Sequence, residues 1–341
     1  MFNIHGAVMS VAITPMNLSD IFNRTFNLIG KTGLRNLIIA VVVIAPIVII
    51  LGIAVNMFFS GLAGVLAEGE FEHVEVWEVL SNFLGSGLLF LLALILLILG
   101  SVFVKVAVTI VACTEMEEGE ITWSEALTQA LGGRGWRAIG QQILLGFAIV
   151  ALVIIPYIFI IIGAINDMDT MIGLGVLGFL AIIPVSIFLV IRWLFALQVI
   201  AWEDTGVIEG FRRSWFLVEG NWWRVLGIAI LLSIVAQFAI SIVVTPLSFI
   251  AFWGIISQYF QMIANGPDSM APSQVAEMLK SLGWGYGLVI GVSEILSLVV
   301  TPVYLAVMYF DLRARKGEFG SAPESDTTDA VDLDKIAPAS E

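Results

Sequence analysis

Six long apolar runs dominate the chain, at about 36–60, 86–113, 138–165, 172–200, 222–258 and 284–310, with polar stretches between them. Each reaches the ~20 residues needed to cross ~30 Å of hydrocarbon, so each predicts a transmembrane helix. The fifth is long enough to tilt, to kink at Pro246 or to continue past the membrane surface. Shorter amphipathic stretches precede the odd-numbered runs. Leu18, Ile21, Phe22, Thr25 and Ile29 share one face of a helix, as do Trp123, Ala126, Leu127, Ala130 and Leu131. Ile208, Phe211, Trp215 and Val218 do the same. These stretches, near 17–31, 121–132 and 205–219, predict helices lying in the membrane interface. Thr122 and Glu125 have the spacing of a capping box at the start of the second.

The pattern repeats. The three amphipathic stretches run on to Arg35, Arg137 and Arg224. Asp20 precedes Arg35 by fifteen residues, and Glu209 precedes Arg224 by the same fifteen. The even runs close alike, in Val-Ala-Cys-Thr-Glu115, Val-Ile-Ala-Trp-Glu203 and Val-Met-Tyr-Phe-Asp311, so a carboxylate marks each exit. The predicted fold is an all-α integral membrane protein. Its six transmembrane helices form three tandem units, each an interfacial helix plus a transmembrane hairpin, over about 16–118, 121–204 and 205–315. A membrane domain over 1–317 is followed by an acidic tail, 318–341, whose composition predicts disorder.

Charge orients this arrangement. With the runs threaded as alternating spans, fourteen of the fifteen Lys and Arg residues fall on one side, and Lys280 alone falls outside. Cytoplasmic loops carry the excess of Lys and Arg. The chain is therefore expected in the cell (inner) membrane as a multi-pass protein with both termini cytoplasmic. Composition agrees: 13% of residues are charged and 59% are hydrophobic, against about a quarter charged in soluble domains. The net charge of −13 is local. It sits largely in Glu68, Glu70, Glu72, Glu75 and Glu78 and in the tail, and it argues against nucleic acid as a partner. No signal peptide is read before the first apolar run, and the lone Cys113 has no partner for an internal disulfide.

The run Arg-Arg-Ser-Trp-Phe-Leu-Val-Glu-Gly-Asn-Trp-Trp-Arg-Val-Leu-Gly (212–227) resembles a recurrent element of a bacterial and archaeal polytopic membrane family. That family is related to the membrane domain attached to some glycerophosphodiester phosphodiesterases. Tyr-Phe-Asp-Leu-Arg-Ala-Arg (309–315) and Met-Asn-Leu-Ser-Asp-Ile-Phe (16–22) are similar to it too, while Lys316-Gly-Glu-Phe departs from the family's Glu-Gly and acidic-apolar ending. The resemblance implies a topology rather than a chemistry. An attached phosphodiesterase would need a barrel of ~250 residues, which the tail does not offer.

Lys105, Arg192 and Glu294 lie inside predicted spans, where a charge costs about 2.5–3.5 kcal/mol on insertion scales. Lys105 precedes Glu115 by ten residues and Arg192 precedes Glu203 by eleven, which puts both about 15 Å above those carboxylates. They read either as contacts to anionic lipid, together with Arg212, Arg213 and Arg224, or as structural ion pairs and snorkelling side chains. Trp123, Trp136, Trp202, Trp215, Trp222 and Trp223 cluster at predicted boundaries and read as interfacial anchors. His73 follows Glu70 at i+3, but His5, the only other histidine, is on the other side, so no metal site is expected. No cofactor is implied. The expected function is a non-catalytic membrane module that organises anionic lipid or partner proteins at the cytoplasmic leaflet. The alternative is a small transporter or lipid flippase, with Pro46, Pro156, Pro184, Pro246 and Pro302 supplying breaks.

The topology is open to cysteine labelling in intact cells. Cysteines replacing Glu72 or Ser269 should react with an impermeant reagent from outside, and one replacing Ser321 should not. Labelling at Ser321 would reverse the orientation.

Overall fold

The structure, a computed structural model, describes residues 14–67, 76–266 and 272–319. Those residues are mostly helical, with no strand among them, and six of the helices are long and apolar enough to cross a membrane. Glu72, His73, Ser269, His5 and most of the acidic tail lie outside the described residues.

Helix α1 (Leu18–Ala67) spans 50 residues without a break, about 75 Å at 1.5 Å per residue. Asn17 and Asp20 start it by reciprocal bonds: the Asp20 N–H donates to Asn17 Oδ1 at 2.9 Å, and the Asn17 N–H to Asp20 Oδ2 at 3.0 Å. The predicted first interfacial helix is therefore not a separate element. Its segment has no glycine in positive φ and no proline, so nothing uncouples it from the span that follows. Helix α2 (Val76–Met116) returns alongside α1. Helix α3 (Trp123–Gln129) starts at the predicted capping box, with the Glu125 N–H on Thr122 Oγ1 at 3.3 Å and the Thr122 N–H on Glu125 Oε2 at 3.0 Å. A π-helical turn (Ala130–Arg134) kinked at Gly132 (ψ −159°) then leads into α4 (Gly135–Ile165).

The fourth apolar run is broken, where the sequence predicts one helix. It gives α5 (Asp169–Arg192) and α6 (Ala196–Glu203), parted by a turn at 193–195. A break in a helix frees backbone groups that an apolar surrounding cannot satisfy. Ser214, fully buried on α7 (Val207–Val218), answers two of them. Its hydroxyl accepts from the Phe195 N–H at 3.1 Å and donates to the Arg192 carbonyl at 2.9 Å. The fifth run gives α8 (Trp222–Ala251) and, past a turn at Phe252, the short α9 (Trp253–Asn265). Helix α10 (Pro272–Arg315) completes the bundle. The five prolines all lie within continuous helices, so the breaks fall elsewhere than expected.

The centre is α1 packed between α2 and α10, with Ile39, Ile44, Val104, Val108, Val303 and Val307 fully buried. The closest approach uses glycine. Gly283, Gly287 and Gly291 recur every four residues on α10 and meet Asn56, Gly52 and Val48 on α1. A Cβ on Gly283 would lie 2.5 Å from the Asn56 Cα, and one on Gly287 2.9 Å from the Gly52 Cα. Such a small-residue stripe lets two helix backbones touch without a lipid-excluding driving force. The sequence reading did not single it out, although Gly-x-x-x-Gly-x-x-x-Gly is legible in the chain. Helices α4 and α5 pack mainly on each other, with Gly175 and Gly178 against Pro156 and Ile160. Their outer faces, among them Phe147, Ile154, Ile158, Leu177 and Ile183, are exposed and apolar.

Gly287→Val should cost about 1–3 kcal/mol, because the neighbouring atom is backbone and cannot move aside. Gly227→Ala, which faces open space, should be neutral or gain roughly 0.5–1 kcal/mol. Thermal unfolding in detergent measures both, and equal melting of Gly287→Val and wild type would remove the stripe from the account.

Candidate functional site

The polar chemistry of the bundle gathers at one end, where α2, α6 and α10 finish and α1, α4 and α8 run inward. Each even-numbered apolar run ends there in an acid, and in each hairpin an acid at or one residue past that end meets the arginine that opens the odd-numbered run before it. Arg35 Nη2 lies 2.6 Å from Glu115 Oε2. Arg137 pairs with Asp204 and also donates to the Asp204 carbonyl at 2.9 Å. Arg224 Nη2 lies 3.2 Å from Asp311 Oδ2. In the middle hairpin the partner is one residue beyond Glu203, made possible by the left-handed conformation of Asp204 (φ +56°). The three arginines, Glu115 and Asp311 stand out in the sequence, as the ends of the amphipathic stretches and of the spans, whereas Asp204 does not, its neighbour Glu203 being the acid that the pattern marks. Only the fold joins them.

Asp311 is the most enclosed of the acids, with 3% of its side chain exposed. Its Oδ1 accepts the Met16 N–H at 2.8 Å, and Arg315 adds a second guanidinium at 3.0 Å. The Met16 carbonyl in turn accepts from Arg224 at 2.7 Å and Arg315 at 2.8 Å. Two cations, one anion and the Met16 backbone thus tie the segment before α1 to the end of α10. Glu203 is used differently: Arg213 Nε approaches it at 3.2 Å and the Tyr309 hydroxyl donates to it. Glu318 and Phe319, which composition places with the tail, dock on the bundle instead. Glu318 accepts from Arg213 at 2.6 Å and Arg313 at 2.9 Å, and Phe319 stacks on Phe310. Burial alone would lower the Arg213 pKa, but the bond to Glu318 and the charges of Glu203 and Glu318 more than offset it and hold it raised.

The structure separates the residues predicted to act on lipid. Arg213 and Arg224 are bound to carboxylates of the chain itself. Arg212 is 77% exposed and meets only Glu209, one helical turn away, at 2.7 Å. Arg192 has no carboxylate partner among the described residues. Its guanidinium lies 4.6 Å from the Trp215 ring centroid and 5.3 Å from that of Phe188, and Nη1 donates to the Trp215 carbonyl at 3.3 Å. Lys105 and Glu294 are half-buried, and neither forms an ion pair among the described residues. Lys105, Arg192 and Glu294 do not form one cluster. Of the predicted anchors, Trp123, Trp136, Trp215 and Trp223 are exposed, while Trp202 packs on Phe310 and Trp222 donates to the Phe188 carbonyl at 3.4 Å.

Lys105 opens into a cavity of about 200 Å³ between α2, α4, α6 and α10. Gln141, Gln142, Gln198, Thr301 and Trp193 supply its other polar atoms, and Leu145, Val190, Leu194 and Leu305 part of its apolar wall. The glutamines were not picked out in the sequence, although uncharged amides inside the runs 138–165 and 172–200 are a readable signal.

Removing one partner of a buried pair leaves an uncompensated charge. Asp311→Ala should therefore destabilise the chain by on the order of 3 kcal/mol, while exposed Arg212→Ala should stay within about 0.5 kcal/mol. Unfolding by denaturing detergent compares them, and similar losses for the two would contradict the pairing.

No curated protein and no solved structure matches the chain. A family model does: residues 131–312, just over half of the sequence, match a domain of unknown function, DUF7847. The match runs from the kink before α4 to the residue after Asp311, and on it the chain belongs to that family.

Proposed function

We propose that the protein is a non-catalytic integral membrane module built of three tandem hairpins, with its charged end and both termini on the cytoplasmic side of the cell membrane. The observation that carries this is the set of three pairs, Arg35–Glu115, Arg137–Asp204 and Arg224–Asp311, one per hairpin and each joining an opening arginine to an acid at or one residue past the hairpin's end. A repeated lock of this kind supports common descent of the three units and a fixed end to the bundle. It also neutralises most of the arginines that could otherwise bind polyanions, so the module engages anionic lipid through its interior and flank and presents the charged end to partner proteins. Kinship with the membrane domains attached to glycerophosphodiester phosphodiesterases is part of the same proposal.

A small transporter or flippase would use a broken helix as a moving part. Here the break between α5 and α6 is stitched by Ser214 on both sides, which supports a static module.

Two measurements on the purified full chain test this. Lipid copurifying from native membranes, identified by mass spectrometry, should be enriched in anionic species over the bulk membrane. Proteoliposomes should scramble labelled anionic lipid no faster than protein-free vesicles. Faster scrambling would favour the transporter, and copurified lipid of bulk composition would remove lipid from the proposed role.

A further inference from the structure

We infer that the cavity at Lys105 is a binding site for the headgroup of one anionic lipid that carries free hydroxyls, of the glycerol-phosphate class. This rests on the proposed membrane insertion and names the ligand that the module holds. The cavity lies where the three hairpins meet, since Lys105 comes from the first, Gln141 and Gln198 from the second and Thr301 from the third. Gln141 lies four residues inward from Arg137, and Lys105 ten from Glu115. The cavity therefore sits about 6–15 Å beyond the charged end along the helices, a depth that a lipid phosphate reaches from the inner leaflet and a soluble anion reaches only through the bundle. Helices α4 and α5 pack on each other rather than on α10. On that side Val190 carries the wall out to the exposed apolar flank, so an acyl chain has a continuous surface to follow.

Two features select the headgroup. The first is charge: Lys105 has an ammonium with three donors and no carboxylate partner among the described residues. An unpaired cation at this depth is costly, and an anion repays it. The second is the pair of amides. Gln141 is 3% exposed and Gln198 2%, and the side-chain carbonyl oxygen of each is buried without a hydrogen-bond partner. A buried acceptor left unmet costs about 1–3 kcal/mol; both amides line the cavity, and rotation of either about its last torsion turns that oxygen toward a ligand that brings donors. A phosphodiester has none of its own. An ethanolamine ammonium has donors but opposes Lys105, and choline has neither donor nor net negative charge. Hydroxyls beside a phosphate supply donors and acceptors together with the anion. At about 200 Å³ the cavity is below the ~300–1,000 Å³ of pockets for drug-sized ligands, which suits a small polyol and excludes a large glycan.

The full chain, reconstituted in nanodiscs of phosphatidylcholine with equal small fractions of phosphatidylglycerol and phosphatidic acid, tests this by native mass spectrometry of retained lipid. Wild type should retain phosphatidylglycerol over phosphatidic acid, and both over phosphatidylcholine. Lys105→Leu should lower phosphatidylglycerol retention about tenfold or more, as loss of a charged hydrogen bond implies. Lys105→Arg should restore much of it. The pair Gln141→Leu and Gln198→Leu should keep the preference for anions and lose the preference for hydroxyls. Melting temperature reports whether each variant is folded. Retention of phosphatidylglycerol unchanged in folded Lys105→Leu overturns the site, and equal retention of the two anionic lipids by wild type overturns the hydroxyl selection. Displacement of retained lipid by millimolar glycerol 1-phosphate would reassign the cavity to a soluble ligand. Wild type that fails to incorporate into bilayers sinks the membrane reading itself, whereas incorporation with unselective retention sinks only the pocket.

Discussion

A guanidinium taken out of water needs a carboxylate in fixed geometry, and three times this chain meets that need by folding a hairpin back on its own start. The pair at Asp311 shows why the rest depends on it. One carboxylate, almost fully enclosed, accepts from Arg224, Arg315 and the Met16 N–H. Its removal would leave two cations and a peptide group facing each other with nothing between them. Replacement of such a network by apolar side chains is often tolerated, but loss of a single member is not. The register of α8 against α10, and of the segment before α1 against both, follows from this one acid.

How much of this was legible in the sequence differs by level. The six long apolar helices were, because a span of ~20 apolar residues has few alternatives. The capping box at Thr122 was, because a cap is a local bond between residues three apart. The positions of the helix breaks were not. Proline suggests a break locally, yet Pro46, Pro156, Pro184, Pro246 and Pro302 all sit inside helices, and the breaks fall instead at 132, 193–195 and 252. Ser214 makes the point: its hydroxyl meets two groups freed by a break, whereas the hydroxyl of Thr25, also buried and within the unbroken α1, has no partner among the described residues. The pairing of arginines with acids was half legible. Every partner except Asp204 was visible as a recurring mark, but which mark meets which is a fact about approach in space, and in the middle hairpin it shifts by one residue, from Glu203 to Asp204.

The same distinction holds for the interior site. Lys105 announces itself as a charge within an apolar run, whereas the amides that complete the cavity are quiet in any hydropathy profile. Arg192, equally conspicuous in sequence, belongs elsewhere. It lies over Trp215 and Phe188 and donates to a backbone carbonyl beside the break that Ser214 secures. Two cations of similar depth therefore have different surroundings: one is enclosed by aromatic rings, and the other faces a cavity with unmet acceptors.

The glycine stripe between α1 and α10 has a consequence in time. The two helices that touch most closely are far apart along the chain, and Met16 meets Asp311 across 295 positions. A ribosome adding ~5–20 residues per second needs roughly 15–60 s to cover that interval. For most of it, from Ala67 to Pro272, α1 is already made while its Val48-Gly52-Asn56 groove has no α10 to fill it. The hairpin of α1 and α2 must therefore persist as a partly assembled intermediate, and the last helix to emerge acts as the closing element of the bundle. Nascent chains halted before α10 would present that open groove to whatever insertion or quality-control factor attends them.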